Sequence, residues 1–186
     1  GHMWELYAVW TWIPLFLLES FRASGGQGSE RPAAILAFFV IGIGGLGSLL
    51  FGRLADKWGR TRTTILSMSI SGFCALIIGF FFGQAPWLVA SIALVWGFAV
   101  VADSAQFSTA VSELTQREYM GTALTLQTSL GFLLTLGSIQ LIPLLVGWIG
   151  WQWAFTMLII GPVFGIYSMW QLKNSPGAAK LAGGRG

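Results

Sequence analysis

The sequence predicts an all-α membrane protein with six transmembrane helices. Of its 186 residues, 55% are hydrophobic and only 9% are charged, whereas soluble domains carry roughly 25% charged residues. That charge is too little to cover a globular surface, so lipid must solvate most of the exterior. Ten Trp and fourteen Phe residues add aromatic mass suited to lipid and to the membrane interface.

Six apolar runs account for the six helices, because a spanning helix takes roughly 20 mostly apolar residues. They lie at about 3–18, 33–51, 64–83, 87–111, 121–147 and 151–172. Gly, Pro, Ser and charged residues separate them, as expected of helix breakers. The first run is short, and Gly1-His2-Met3 is either an artificial addition or the mark of a cut inside a longer protein. The short run favours the cut.

Basic residues predict the orientation, since they are concentrated in cytoplasmic loops. One side of the membrane would hold eight of them, namely Arg53, Lys57, Arg60, Arg62, Arg117, Lys173, Lys180 and Arg185. The opposite side would hold only Arg22 and Arg31. We therefore expect both termini in the cytoplasm, with the protein in the cell membrane of a bacterium.

The most informative segment is 52–62, which reads GRLADKWGRTR between the second and third apolar runs. It resembles the signature loop G-x-L-A-D-[RK]-x-G-R-[RK] of the major facilitator superfamily of secondary transporters. Segment 113–123, ELTQREYMGTA, is similar to the fourth-loop pattern of that family. Segment 150–155, GWQWAF, is similar to the start of the last span of a facilitator half, with Gln152 in place of the usual Arg.

The resemblance covers nearly the whole chain, but only one six-helix half of a carrier. It implies a transmembrane domain at 1–172 built from two inverted three-helix repeats, at about 1–83 and 84–172. Residues 173–186 would form a disordered cytoplasmic tail, since they are rich in Gly and Ala. This short tail, and the likeness of 4–12 to the seventh helix of some facilitators, favour the C-terminal half.

The resemblance also implies a function, secondary active transport of a small solute by alternating access, coupled to protons. The implied partners are the bilayer, a small-molecule substrate, protons and the other six-helix half, present as a missing segment or a second copy. Cofactors, metals and nucleic acid are not expected.

Ionisable residues inside spanning helices are costly and usually face a cavity or a partner. Asp103 shares a helix face with Trp96, Ala99 and Gln106, and burial favours the neutral form of a carboxylate. Both a coupling role and a structural hydrogen bond remain open for Asp103. For Glu5 the alternatives are a cavity residue and a favourable charge at a helix N-terminus. The predicted substrate or proton cavity comprises Glu5, Tyr7, Trp10, Trp96, Asp103, Gln106 and Gln127.

Charged residues at the cytoplasmic ends of the helices are predicted to form a gating cluster. The family resemblance implies a network that closes the inward side and must break on opening. Its predicted members are Gly52, Asp56, Gly59, Arg60, Arg62, Glu113 and Arg117. The alternative for the basic residues is lipid phosphate binding, which does not explain the acidic Asp56.

Stripes of small and hydroxyl residues predict helix packing rather than ligand binding. The run 42–47 has the form G-x-G-x-x-G, but it lies inside an apolar helix, where the dinucleotide-binding motif requires a strand before it. The packing stripes are Gly44, Ser48 and Gly52, then Gly161 and Gly165, and the hydroxyls Thr122, Thr125 and Ser129.

Enzymatic functions are disfavoured by composition. His2 is the single histidine and Cys74 the single cysteine, so a Ser-His protease lacks a base and a His-based metal site lacks ligands. Two rival classes remain, an intramembrane enzyme and a structural membrane subunit or inactive half.

Overall fold

A computed structural model describes residues 1–26 and 28–184, and in that part the chain is helical without any strand. Its α-helices are α1 (His2–Ala23), α2 (Glu30–Gly42), α3 (Gly44–Trp58), α4 (Arg60–Ile77), α5 (Pro86–Ala102), α6 (Ser104–Leu114), α7 (Met120–Ile149), α8 (Trp151–Ala154) and α9 (Ile160–Lys173). Short 3₁₀ segments cover Ile78–Phe81, Arg117–Tyr119, Phe155–Ile159 and Pro176–Gly183.

Within residues 1–26 and 28–184, five segments are long and apolar enough to cross a membrane, which confirms the all-helical membrane prediction. They are Glu30–Trp58, Arg60–Phe81, Pro86–Leu114, Arg117–Ile149 and Trp151–Lys173. The remaining long helix, α1, has 22 residues and continues past the predicted end at residue 18 to Ala23. Its place as a sixth span remains a prediction.

The junction between α3 and α4 is a single residue, so the predicted loop at 52–62 is almost entirely helical. Helix α3 continues to Trp58 and α4 begins at Arg60. Gly59 between them has φ 96°, a conformation in which a residue with a Cβ is strained. This one-residue turn fixes the direction in which α4 leaves α3.

Close approach of α2 and α3 to α5 depends on glycine. A Cβ on Gly97 would meet the carbonyl oxygen of Val40, and a Cβ on Gly47 would meet that of Phe98. Ser48 Oγ donates to the Val101 carbonyl oxygen at 3.0 Å. Gly44 and Ser48 therefore lie on the α5-facing side as predicted, whereas Gly52 faces open space.

Replacing Gly97 with Ala is expected to lower the melting temperature of the purified protein, because the new methyl group forces α2 away from α5. Overpacking of this kind costs roughly 1–3 kcal/mol. The matched control is Gly52→Ala, which adds the same methyl group where no atom beyond the adjacent backbone of α3 lies within 4 Å. Equal melting temperatures for the two variants would contradict the packing seen here.

The core lies where α1 and α5 meet the start of the last span. Trp96 and Phe16 are fully buried, and both rings contact Phe155 with centroid distances of 5.2 and 5.1 Å. Trp151 adds a contact to Phe16 at 5.9 Å. The aromatic residues of the 150–155 segment thus anchor this span to the rest of the bundle.

The tail differs from the expectation of disorder over the described residues. Pro176–Gly183 forms 3₁₀ turns, with a kink at Leu181 and Ala182, and Leu181 is fully buried. Arg185, counted among the cytoplasmic basic residues, lies outside the described residues.

Candidate functional site

A charged cluster joins the first turn of α4 to the last turn of α6. Arg60 donates from Nε to Glu113 Oε2 at 2.8 Å and from Nη2 to Glu113 Oε1 at 2.7 Å. The Asp56 carboxylate lies 3.6 Å from Arg60 Nη1, and the same nitrogen donates to Gln106 Oε1 at 3.1 Å. We call these four residues the Arg60 cluster.

The Arg60–Glu113 pair is the strong contact of this cluster. The two side chains are 12% and 26% exposed, whereas that of Asp56 is 69% exposed. A bidentate Arg–carboxylate pair with limited solvent access is stronger and more directional than an ordinary surface ion pair. The pair therefore holds α4 and α6 together.

The structure brings only part of the predicted gating set together. Gly59 forms the turn that precedes Arg60, while Gly52 faces open space. Arg62 and Arg117 are exposed and have no ion pair within the part of the chain that the structure describes. Gln106, assigned to the cavity from sequence, belongs instead to the Arg60 cluster.

A second polar cluster lies deep between α1, α4 and α5. The Glu5 carboxylate is only 2% exposed, and its Oε1 accepts from Ser71 Oγ at 2.7 Å and from Trp96 Nε1 at 2.8 Å. We call these three residues the Glu5 cluster. Charge-assisted hydrogen bonds of this kind offset the cost of burying a carboxylate.

Asp103 is the residue at which α5 ends and α6 begins. It is buried, and its Oδ1 lies 2.9 Å from His2 Nδ1. The contact falls short of hydrogen-bond geometry, so this oxygen is left without a hydrogen-bond partner among the described residues.

A cavity of about 450 Å³ opens between α1, α6 and α7. Of the predicted cavity residues, Tyr7 and Gln127 line it, and the buried Gln127 Oε1 has no hydrogen-bond partner in the described structure. The wall residues that sequence reasoning missed include Ser104, Phe107, Ser108, Thr128 and Phe132. The spacing of Ser104 and Ser108 on one helix face was the available signal.

The other predicted cavity residues lie elsewhere in the bundle. Glu5 and Trp96 belong to the Glu5 cluster, and Trp10 packs its ring 5.7 Å from that of Tyr7. Tyr7 also contacts Phe132, with ring centroids 5.2 Å apart. The cavity wall therefore combines aromatic, aliphatic and polar side chains, His2 among them, and its described lining includes no Asp, Glu, Lys or Arg.

A family model described as Major Facilitator Superfamily matches residues 2–186 of this chain. The chain belongs to the major facilitator superfamily. This is a family of transporters and not of enzymes, which confirms the resemblance read from segments 52–62, 113–123 and 150–155.

Curated relatives of this facilitator chain are bacterial transporters. It is 30% identical over 188 residues to the glycine betaine/proline/ectoine/pipecolic acid transporter OusA of Dickeya dadantii, covering 93% of this chain and 38% of the relative. It is 31% identical to the proline/betaine transporter of Escherichia coli strain K12, with the same coverage. It is 25% identical over 169 residues to the putative transporter YdfJ of Escherichia coli, covering 81% of this chain and 39% of the relative.

The facilitator chain thus spans about 38% of the length of the first of these relatives. No solved structure matches it. Its family, its five apolar spans and its relatives place it among bacterial membrane transport proteins.

Proposed function

We propose that this chain is one six-helix half of a secondary active transporter that moves a small solute by alternating access, coupled to protons. The observation that supports this most directly is the 450 Å³ cavity between α1, α6 and α7. Its wall carries a buried amide oxygen, Gln127 Oε1, that has no partner among the described residues. A buried acceptor of this kind calls for an explanation, and a bound solute with an N–H donor would supply one.

The uneven burial of the spans supports the presence of another half. In the most apolar 18 residues of the span Arg117–Ile149, only 17% are buried inside the structure. The corresponding share for the span Arg60–Phe81 is 50%. Helix α7 also carries a hydroxyl-lined groove of about 500 Å³ that includes Thr122, Thr125 and Ser129. Polar stripes of this type favour contact with another helix over contact with lipid. The other half, supplied by the same protein or by a second copy, would cover this face.

The finer topology remains part of this proposal. In it, α1 is the first of six spans, the repeats are 1–83 and 84–172, and the chain is a C-terminal half with both ends in the cytoplasm. The Arg60 cluster supports a common side of the membrane for the turn between α3 and α4 and for the segment between α6 and α7. Its contacts join the start of α4 to the end of α6.

The proposed substrate is a small zwitterion with a positively charged nitrogen and a carboxylate. The relatives are named for proline, glycine betaine and similar compounds. Aromatic faces such as Tyr7, Phe107 and Phe132 attract a cationic nitrogen. The Gln127 NH₂ group and the wall hydroxyls can donate to a carboxylate, while Gln127 Oε1 can accept from an N–H such as that of protonated proline. A described wall without Asp, Glu, Lys or Arg side chains suits a ligand without net charge.

Replacing Gln127 with Leu in the full-length carrier is expected to reduce uptake of labelled proline or glycine betaine by about tenfold or more. A hydrogen bond to a charged group contributes roughly 1.5–3 kcal/mol. Initial uptake rates in cells with matched amounts of carrier provide the measurement.

The matched control for that variant is Gln84→Leu, at an exposed position in the turn before α5 and outside the cavity lining. Uptake that is unchanged in Gln127→Leu, or reduced equally in both variants, would remove the cavity from the proposal. A wild-type carrier that transports neither compound nor any other small zwitterion would favour the structural-subunit alternative.

A further inference from the structure

The segment Pro176–Gly183, called here the tail segment, packs across the ends of α6 and α9. Leu181 is fully buried. A Cβ placed on Gly177 would lie 3.4 Å from Leu114 Cδ2 and 3.6 Å from Leu172 Cδ1. The segment is therefore docked through apolar contacts on two helices rather than extended into solvent.

The tail segment also reaches the Arg60 cluster through a backbone hydrogen bond. The Ala182 N–H donates to Glu113 Oε2 at 3.1 Å. The same oxygen accepts from Arg60 Nε at 2.8 Å. One carboxylate thus joins three elements, the start of α4, the end of α6 and the tail segment.

The backbone at Ala182 is held in an unfavourable conformation. Its φ of 47° and ψ of 39° place it in the left-handed region, and no other non-glycine residue of the described chain has a positive φ. This conformation costs an L-residue roughly 1–2 kcal/mol and persists where surrounding contacts determine it. The buried Leu181 and the bond to Glu113 supply those contacts.

We propose that the tail segment is a conformational clamp that stabilises the closed arrangement of α4 and α6 through Glu113. When docked, it supplies Glu113 with a second donor and covers the end of α6. When it leaves, Glu113 loses that donor and gains solvent access, so separation of α4 from α6 becomes easier. The docking equilibrium of residues 176–183 would then set how often this end of the bundle opens.

The clamp can be tested without any change to Arg60 or Glu113. Ala182→Pro removes the N–H donor and excludes φ near 47°, because proline holds φ near −65°. The preceding Leu181, with φ −78° and ψ 136°, already has a conformation that a following proline accepts. The matched control, Ala182→Gly, keeps the donor and relieves the left-handed strain.

Hydrogen–deuterium exchange of the purified full-length protein in detergent, followed by mass spectrometry, provides the readout. We expect Ala182→Pro to speed exchange in peptides covering 109–114 by about tenfold or more, the effect of losing a hydrogen bond to a charged group. Ala182→Gly should exchange at the wild-type rate or more slowly, and Leu181→Ala should resemble the proline variant. Peptides covering 87–100 should be unchanged in all variants.

Equal exchange of 109–114 in wild type and Ala182→Pro would overturn the proposal, and so would faster exchange spread over the whole protein. The readout requires no transport. Its failure is therefore distinguishable from a failure of the proposed transport function.

Discussion

Replacing Arg60 with Gln is expected to reduce substrate uptake by the full-length carrier at least about tenfold. The change removes both charged hydrogen bonds to Glu113 and the one to Gln106. Each hydrogen bond to a charged group contributes roughly 1.5–3 kcal/mol, and the pair is mostly shielded from solvent. The closed arrangement of α4 and α6 should then be sparsely populated, and a carrier that cannot close on one side cannot complete its cycle.

Arg62→Gln is the matched control, because Arg62 lies in the same helical turn, is exposed, and has no ion pair in the described ranges 1–26 and 28–184. It should retain most of the uptake at equal expression. Arg60→Lys should recover part of the loss, since lysine restores the charge but not the bidentate geometry. Equal loss in the Arg60→Gln and Arg62→Gln variants would show that general positive charge matters rather than this pair.

The same geometry ranks the acidic residues of the cluster. Asp56 is mostly exposed and lies 3.6 Å from Arg60, whereas Glu113 makes two short hydrogen bonds to it. We therefore expect Asp56→Asn to weaken uptake less than Glu113→Gln does. The sequence alone had drawn attention to Asp56, because its acidic side chain stands among basic residues.

Replacing Glu5 with Gln is expected to abolish accumulation driven by a proton gradient while sparing exchange of substrate for substrate. Glutamine has nearly the same shape, and its amide oxygen can still accept from Ser71 and Trp96. It cannot exchange a proton, however, so the variant separates the chemistry of the carboxylate from its packing. Uptake by reconstituted full-length carrier, with and without a pH gradient, is the measurement.

Two further variants identify which residue carries the effect. Ser71→Ala removes one hydrogen bond but keeps the carboxylate. It should therefore lower the free energy of unfolding by about 1–3 kcal/mol and leave proton-driven accumulation intact. Asp103→Asn tests the other buried carboxylate in the same assay. If Glu5→Gln still concentrates substrate in response to the gradient, Glu5 is structural. Loss of accumulation in Asp103→Asn would then assign coupling to Asp103.

Local features of the chain were predictable because they depend on neighbouring residues alone. Five of the six apolar runs correspond to segments that can cross a membrane, since hydropathy over about 20 residues decides that property. The predicted gap between the fifth and sixth runs contains the break at Gly150, which has φ 76°, whereas the loop predicted at 52–62 is reduced to the single residue Gly59. The motif at 52–62 identified the family before any contact was known.

The candidate site was only partly predictable, because its contacts join distant parts of the chain. Sequence reasoning grouped Trp96, Asp103 and Gln106 on one helix face, and all three are buried. A different helix lies opposite each end of this face. Trp96 donates to Glu5 on α1, whereas Gln106 accepts from Arg60 on α4. Helical spacing shows which side chains share a face, but it does not show which helix lies opposite.

By itself, the sequence determined that this protein is a helical membrane protein of the facilitator family, since composition, apolar run length and a local motif are properties of short segments. Only the tertiary structure decided that Arg60 pairs with Glu113, that Ser71 and Trp96 hold Glu5, and that residues 176–183 dock on α6. These contacts join residues tens of positions apart. They depend on how the helices pack, and many arrangements of the same helices satisfy the same hydropathy pattern.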